Sequence, residues 1–243
     1  MKTKNHILAA TAVLAGFHAA SGADIAGKII LKGTPPPEKE ITQLKGDVNC
    51  GKLHTDTPKT RFFVVGPGGE LADVMVYIKS GLTGKTFDPP SQPATLDQVG
   101  CEYTPYVMGI KAKQKLMVSN SDPVMHNVHT QPMAPGNKEM NKAQMAKMPA
   151  LPFTFDNPEV FVKFKCDVHP WMFAYVGVLE HPYFAVTGKD GGFKLANVPP
   201  GKYVIEAVHR KAHGAAGKGV TKEITVGSDN VVADFTIELP KAE

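Results

Sequence analysis

The chain has 243 residues, of which 42% are hydrophobic and 21% are charged, and its formal net charge is +4. Basic and acidic residues are nearly balanced, and no lysine- and arginine-rich run with interleaved aromatic residues occurs, so nucleic acid is not an expected partner. No stretch approaches the roughly 20 consecutive apolar residues that a membrane-spanning helix needs, and none is expected.

The first 22 residues have the composition of a cleavable signal peptide. Two early lysines precede an apolar run over Ile7–Phe17, and small residues follow near Ala20. We therefore expect residues 1–22 to be removed and the protein to be periplasmic or otherwise exported. The mature chain would begin near Ala23 with a net charge of +2, because both lysines lie in the removed segment.

The rest of the chain is rich in short runs of alternating or β-branched residues, separated by glycine and proline. In chain order these predicted strands are IAGKIILKG, RFFVV, ADVMVYI, KLMVS, EVFVKFK, YVGVLE, FAVT, KYVIEAVH, KEITV and VVADFTIEL. No long segment with helical periodicity follows the signal peptide. The pattern predicts an all-β protein built from sandwiches.

One segment between the predicted strands has no strand pattern. Residues 131–151 carry four methionines among polar residues, at positions Met133, Met140, Met145 and Met148. Loops of this length are usually functional or disordered. Three interpretations stay open: a flexible filler, an adaptable apolar docking surface, or a collector of Cu(I) through soft thioether ligands.

A segment near the C-terminus forms a compact module of hairpins. After His181 and Pro182 the sequence contains a turn at 189–191, a short strand, a second turn at 199–201 and a long strand. This segment resembles the carboxypeptidase regulatory-like domain, a small transthyretin-like sandwich. The resemblance implies a structural or docking module over residues 182–243.

The strongest chemical signal is a short loop between two predicted strands. Cys166, His169 and Met172 are spaced three residues apart, so that a thiolate, an imidazole and a thioether can converge on one ion from a single hairpin. A mixed set of sulfur and nitrogen ligands suits copper better than harder metals. The loop predicts a copper site with one ligand still to be found.

The remaining ligand is expected from a distant strand end. His126 and His129 both follow the strand KLMVS, and Asn127 beside His126 is well placed to hydrogen-bond the cysteine sulfur. We therefore assign His126 as the ligand. For His129 three roles stay open: a fifth ligand, or, as we expect, a residue that supports the site from outside the ligand set or one that faces solvent.

The other two cysteines are expected to pair with each other. Export favours oxidation, and Cys166 is committed to the metal, which leaves Cys50 and Cys101 for a disulfide.

With both histidine segments in view, residues from about 107 to 180 resemble the cupredoxin family, and the loop from Cys166 to Met172 is similar to the short metal loop of the amicyanins. The resemblance implies a Greek-key β-sandwich, here within residues 23–181 with an N-terminal extension. It also implies one type 1 (blue) copper held by His126, Cys166, His169 and Met172, and the transfer of single electrons to a redox partner.

The expected function is that of an electron carrier rather than an enzyme, because four protein ligands leave no open position for a substrate. Its partner would be a redox protein such as a c-type cytochrome or a periplasmic dehydrogenase. Electrons are expected to pass through an exposed edge of His169, within a docking patch that includes Pro170 and Trp171. The alternatives are a periplasmic copper delivery or storage protein, and an envelope binding or scaffold module.

Overall fold

The computed structural model describes residues 22–213 and 218–239. The predicted signal peptide lies outside the described residues, except for Gly22. Among the residues that are described, no helix has the length and apolar character needed to cross a membrane.

The described chain is nearly all β, which confirms the predicted fold class. Its two short helices are α1 (Thr42–Gly46) and α2 (Arg210–His213), and a 3-10 turn spans Cys50–Leu53. The strands are β1 (Ala23–Lys32), β2 (Val74–Ser80), β3 (Ala94–Val99), β4 (Glu102–Thr104), β5 (Val107–Lys111), β6 (Leu116–Asn120), β7 (His126–Gln131), β8 (Met140–Gln144), β9 (Leu151–Phe153), β10 (Glu159–Lys165), β11 (Phe173–Leu179), β12 (Phe184–Val186), β13 (Gly192–Val198), β14 (Gly201–His209), β15 (Val220–Val226), β16 (Val231–Val232) and β17 (Phe235–Glu238).

Two of the four sheets form a sandwich that we call the site sandwich. One sheet has the order β5-β11-β10-β7-β8 and the other β4-β3-β6-β9. In β10 and β11 the even-numbered side chains, such as Phe164 and Val176, point into the core between these sheets. The odd-numbered side chains, such as Tyr175, lie on the opposite face, as expected for the two-residue period of a strand.

The other two sheets form a second sandwich, which we call the host sandwich. β1 pairs with β13, β16 and β17, and β2 lies between β12 and β14, with β15 beyond. Its core joins residues from both ends of the described chain, including Ile25, Val76, Phe193 and Phe235. β1 and β2 pair with strands from the C-terminal part of the chain. The predicted domain boundary between residues 181 and 182 therefore does not separate the two sandwiches.

The two sandwiches pack against each other through a third apolar cluster, in which Met75 of the host sandwich meets Tyr175 of the site sandwich. Gly177 and Gly109 are paired in register where this approach is closest. A Cβ atom at Gly177 would lie 2.6 Å from the Met75 side chain. A larger residue at this position would require the Met75 side chain to shift.

Two segments differ from the sequence-based expectation. Residues 61–65 form no strand and contribute only an isolated bridge between Val65 and Leu71. The methionine-containing segment was expected to lack strands, but its residues 140–144 form β8 at the edge of a sheet, paired with β7. Most side chains of β8 are partly buried or exposed, so this edge strand can carry polar residues.

Candidate metal centre

Cys166, His169 and Met172 lie on the turn that joins β10 to β11. The turn is closed by two backbone hydrogen bonds, from Cys166 N to Met172 O at 3.0 Å and from Met172 N to His169 O at 2.9 Å. All three side chains are buried, with relative exposures of 2%, 7% and 1%. The short loop therefore turns these three side chains away from solvent.

His126, the first residue of β7, meets this loop from the neighbouring strand. Its side chain is fully buried, and its Nδ1 atom lies 3.0 Å from Nδ1 of His169. Cys166 Sγ is 3.7 Å from the same nitrogen of His169, and one ligand atom from each of the three residues lies within 4.8 Å of the other two. Met172 belongs to the same buried cluster as Cys166.

The distances between these donors fit a single metal ion. Imidazole nitrogen and thiolate sulfur bind an ion such as Zn²⁺ at about 2.0–2.1 and 2.3 Å, which places two such donors about 3.4–3.6 Å apart in a near-tetrahedral site. The separations of 3.0 and 3.7 Å are close to this range. Two imidazoles and a thiolate are also the donor set that copper prefers over hard cations.

Asn127 contacts the sulfur atom of Cys166 from two directions. Its backbone N–H points to Cys166 Sγ at 3.5 Å, and its side-chain oxygen accepts from the thiol at 3.3 Å. The same oxygen accepts from the backbone N–H of Asp167 at 2.6 Å. Asn127 therefore ties the start of β7 to the cysteine end of the metal loop.

A buried carboxylate that the sequence analysis missed supports His126. Asp122 is 4% exposed, and its Oδ2 atom lies 2.9 Å from Nε2 of His126. It also accepts the backbone N–H groups of Gly100 and Cys101 at 2.6 and 2.8 Å. A carboxylate that holds the second nitrogen of a ligand histidine fixes the ring, which leaves Nδ1 of His126 free to face the other donors.

The electrostatic environment favours the ionised thiol. Burial raises the pKa of Cys166, but hydrogen bonds from His126 and from the backbone amide of Asn127 outweigh it, so the pKa lies below the ordinary value. Burial lowers the pKa of His126, but its hydrogen bonds to Asp122 and Cys166 raise the pKa above the usual range. For His169, burial and the neighbouring His126 both lower the pKa.

His129 lies outside the group of donors. Its Nδ1 atom is 2.8 Å from Asp167 Oδ2, and its Nε2 atom is 2.5 Å from Glu139 Oε1. Both ring nitrogens therefore face carboxylates. Asp167 also contacts Asn127, so His129 is connected to the site only through a chain of polar groups.

The disulfide between Cys50 and Cys101 is confirmed, with an S–S distance of 2.07 Å. Both cysteines are fully buried, and their sulfur atoms lie within 4.8 Å of a ring nitrogen of His169. The disulfide fastens the N-terminal extension, which includes α1, over this end of the site sandwich. Its position beside His169 could not be inferred from cysteine counting.

An exposed edge of His169 was expected, but little of this residue reaches solvent, because only 7% of it is exposed. Pro170 is exposed, whereas Trp171 is half-buried and donates from Nε1 to the carbonyl of Cys101 at 3.1 Å. The rings of Trp171 and His169 are 5.2 Å apart. The disulfide segment thus lies where an open histidine edge was expected.

Comparison with known proteins gives structural neighbours alone, since no family model and no curated protein sequence matches. A copper-containing nitrite reductase from Thermus scotoductus has a TM-score of 0.34 at 20% identity, over 41% of this chain and only 24% of the enzyme. An oxidised amicyanin mutant has a TM-score of 0.33 at 20% identity, over 42% of this chain and 97% of its own length. A purple cupredoxin from Nitrosopumilus maritimus has a TM-score of 0.29 at 22% identity, over 35% and 98% of the two chains.

Proposed function

We propose that this protein binds one type 1 copper ion and carries single electrons. The observation that carries the proposal is the convergence of His126, Cys166 and His169, which bring two imidazole nitrogens and a thiol sulfur together inside a buried site. Met172, on the same loop, would complete the set as a weak thioether ligand. Bound copper would supply the Cu(I)/Cu(II) couple.

The residues around the donors favour electron transfer because they are already held in place. Asp122 fixes His126, Asn127 fixes the Cys166 sulfur, and the backbone bonds of the loop fix His169 relative to Met172. A site that is preformed by such supporting contacts needs little rearrangement when the charge of the metal changes. Four protein ligands would also leave no position for a substrate, so we propose a carrier and not an enzyme.

We further propose that the protein works after export, between redox proteins such as a c-type cytochrome and a periplasmic dehydrogenase. The buried disulfide supports this location, because such bonds persist in oxidising compartments.

The test is a titration of the copper-free protein with Cu(II), followed by visible absorption. We expect one equivalent to bind and to give an intense charge-transfer band from the Cys166 thiolate. Cys166→Ser should abolish the band, whereas the matched control His129→Gln should keep it, because His129 does not belong to the donor group. Full colour in Cys166→Ser, or no copper uptake by the wild type, would refute the proposal.

Copper delivery is the alternative that a specific observation favours. Met133, Met145 and Met148 are exposed by 62%, 57% and 41%, and exposed thioethers are soft ligands for Cu(I). The rate at which Cu(I) moves to a competing chelator separates the two functions. Slow release that is unchanged when these methionines are replaced by leucine supports the carrier, and fast release that depends on them supports delivery.

A further inference from the structure

Three aromatic rings touch one another at the edge of the apolar cluster between the two sandwiches, where Tyr106 and Tyr175 are buried and Phe173 is half-buried. The ring centroids of Tyr106 and Phe173 are 5.8 Å apart, those of Tyr106 and Tyr175 are 5.7 Å apart, and those of Phe173 and Tyr175 are 5.9 Å apart. Phe173 is the first residue of β11, so this group lies at the end of the strand where the metal loop enters.

Each of the three rings carries a cationic side chain. The guanidinium of Arg61 lies 4.7 Å from the centre of the Tyr106 ring, and that of Arg210 lies 4.5 Å from Tyr175. The Lys163 ammonium lies 5.8 Å from the Phe173 ring. These positions fit cation–π contacts, which hold a cation on an aromatic face without neutralising its charge. Lys211, beside Arg210, sits in the same way over Phe62 at 3.8 Å.

Most acidic groups around this surface are already engaged, although the exposed Glu40 also lines the neighbouring cavity and Glu38 attracts Lys211. Glu102 pairs with Arg61 at 3.2 Å, and Glu38 accepts the backbone N–H groups of Phe62 and Phe63. Asp167 pairs with Lys165 at 2.7 Å. Asp73, which attracts Arg61, is half-buried.

Three cations therefore remain available for an outside anion. Within residues 22–213 and 218–239, none of Lys163, Arg210 and Lys211 takes part in an ion pair. Neighbouring cations also repel these side chains. Burial, and then Lys165 and Arg210, lower the pKa of Lys163, and burial, and then Arg210, lower the pKa of Lys211.

This surface adjoins the candidate metal centre. A cavity of about 340 Å³ is lined by Tyr106, Trp171 and Phe173, together with Arg61. Trp171 lies 5.2 Å from His169, ring to ring, whereas His169 itself is buried beside the disulfide. The half-buried Trp171 thus links the cavity wall to a metal-binding residue.

We propose that these residues form a docking surface for an acidic patch on a partner protein. The cation–aromatic surface consists of Arg61, Tyr106, Lys163, Phe173, Tyr175, Arg210 and Lys211. Charge complementarity to the three unpaired cations identifies the partner as acidic. The half-buried Phe173 and Trp171 offer apolar contact area beside the cations, whereas Tyr106 and Tyr175 are buried and hold their cations in place from below. The role of the docked protein as an electron donor or acceptor rests on the proposed function, but the docking itself does not require copper.

The test maps anion contacts in ¹⁵N-labelled protein by nuclear magnetic resonance, in the copper-free state and again after Cu(I) is added. The first probe is the paramagnetic anion hexacyanochromate(III), which broadens the amide signals near it. The second probe is a peptide of ten glutamates, which presents carboxylates as an acidic protein surface does. We expect both probes to affect the amides of Phe173 and of the cationic residues Lys163 and Lys211 most strongly. A failure of copper uptake leaves the copper-free map intact, so the two proposals can fail separately.

Charge variants decide whether the surface is specific. In Lys163→Gln/Lys211→Gln the half-saturating peptide concentration should rise about tenfold at low ionic strength, because two unscreened charges are lost. The control Lys115→Gln/Lys202→Gln removes the same charge from exposed positions elsewhere and should change it less than about twofold. Equal weakening in both variants, or strongest effects at other amides, would overturn the proposal. Binding of the inorganic anion without the peptide would also overturn it, since it would mark a site for small anions only.

Discussion

Removal of the disulfide tests how the N-terminal extension is held over the metal loop. Cys50→Ala/Cys101→Ala cuts the covalent link between two residues that are 51 positions apart. The peptide groups that Asp122 and Trp171 bind at Cys101 stay in place, so the substitution removes the constraint without removing these hydrogen bonds.

The expected cost follows from the size of the closed loop. Closing a loop of about 50 residues lowers the entropy of the unfolded chain by about 14 cal/mol/K, which corresponds to about 4 kcal/mol at 25 °C. Both cysteines are fully buried, so the exchange of each sulfur for hydrogen adds a smaller packing loss.

Urea denaturation of the copper-free protein measures this loss. Trp171 is the single tryptophan of the chain and donates to the carbonyl of Cys101, so its fluorescence reports on the region that the disulfide crosses. With a denaturant dependence of about 2–3 kcal/mol/M, we expect the midpoint to fall by about 1.3–2 M. Val48→Ala, at a position in the same segment that is 72% exposed, should leave the midpoint nearly unchanged. A loss below about 1 kcal/mol in the double variant would show that packing alone holds the extension.

Three further predictions concern single residues. Met172→Gln should keep copper and lower its potential in a redox titration, and loss of the metal would instead show that Met172 is essential for binding. Asp122→Asn should raise the redox potential of bound copper by about 100 mV. The reason is that a negative charge about 7 Å from the metal is worth about 2 kcal/mol at an effective dielectric constant of 20. An unchanged potential would mean that solvent screens this carboxylate. Burial, and then the neighbouring cations His213 and Arg210, lower the pKa of His209 to about 4. In the unfolded chain His209 is protonated near pH 6.5, so neutral His209 contributes fully to the free energy of unfolding above pH 6.5. This contribution is lost as the pH falls towards 4, by about 3 kcal/mol in total. Thermal unfolding of His209→Gln should therefore depend less on pH in this window, and an unaltered slope would contradict the assignment.

Local sequence patterns explain much of the site sandwich. The run EVFVKFK is rich in β-branched and aromatic residues, alternates from Val162 onwards, and forms β10 over the same residues, 159–165. Cys166, His169 and Met172 lie within one hairpin, so the local fold of the chain is enough to bring them together. His126 lies on a different strand, so its assignment as a ligand depended on the adjacent Asn127. Asp122 was missed, although its position four residues before His126 was a usable signal.

Long-range pairing explains what the sequence did not reveal. β1 alternates clearly, but alternation does not say which strand becomes its neighbour, and β1 pairs with β13 and β17 more than 150 residues away. The burial of His169 depends on a disulfide whose two halves approach only in the folded chain. The cations on Tyr106, Phe173 and Tyr175 come from separate segments, so the small net charge of the whole chain conceals their grouping.

The site sandwich is inserted into the chain of the host sandwich, so all strands of the site sandwich are synthesised before the last strands of the host sandwich. The site sandwich lies between β2 and β12, and the chain leaves and re-enters the host sandwich at adjacent points, where Ile78 N donates to Tyr183 O at 3.2 Å. During synthesis from the N-terminus, every strand of the site sandwich is available once β11 has emerged. β1 must wait for β13, β16 and β17. A nascent chain can therefore assemble the site sandwich while β1 still presents unpaired edges. This interval is the period of greatest risk for mispairing with other chains.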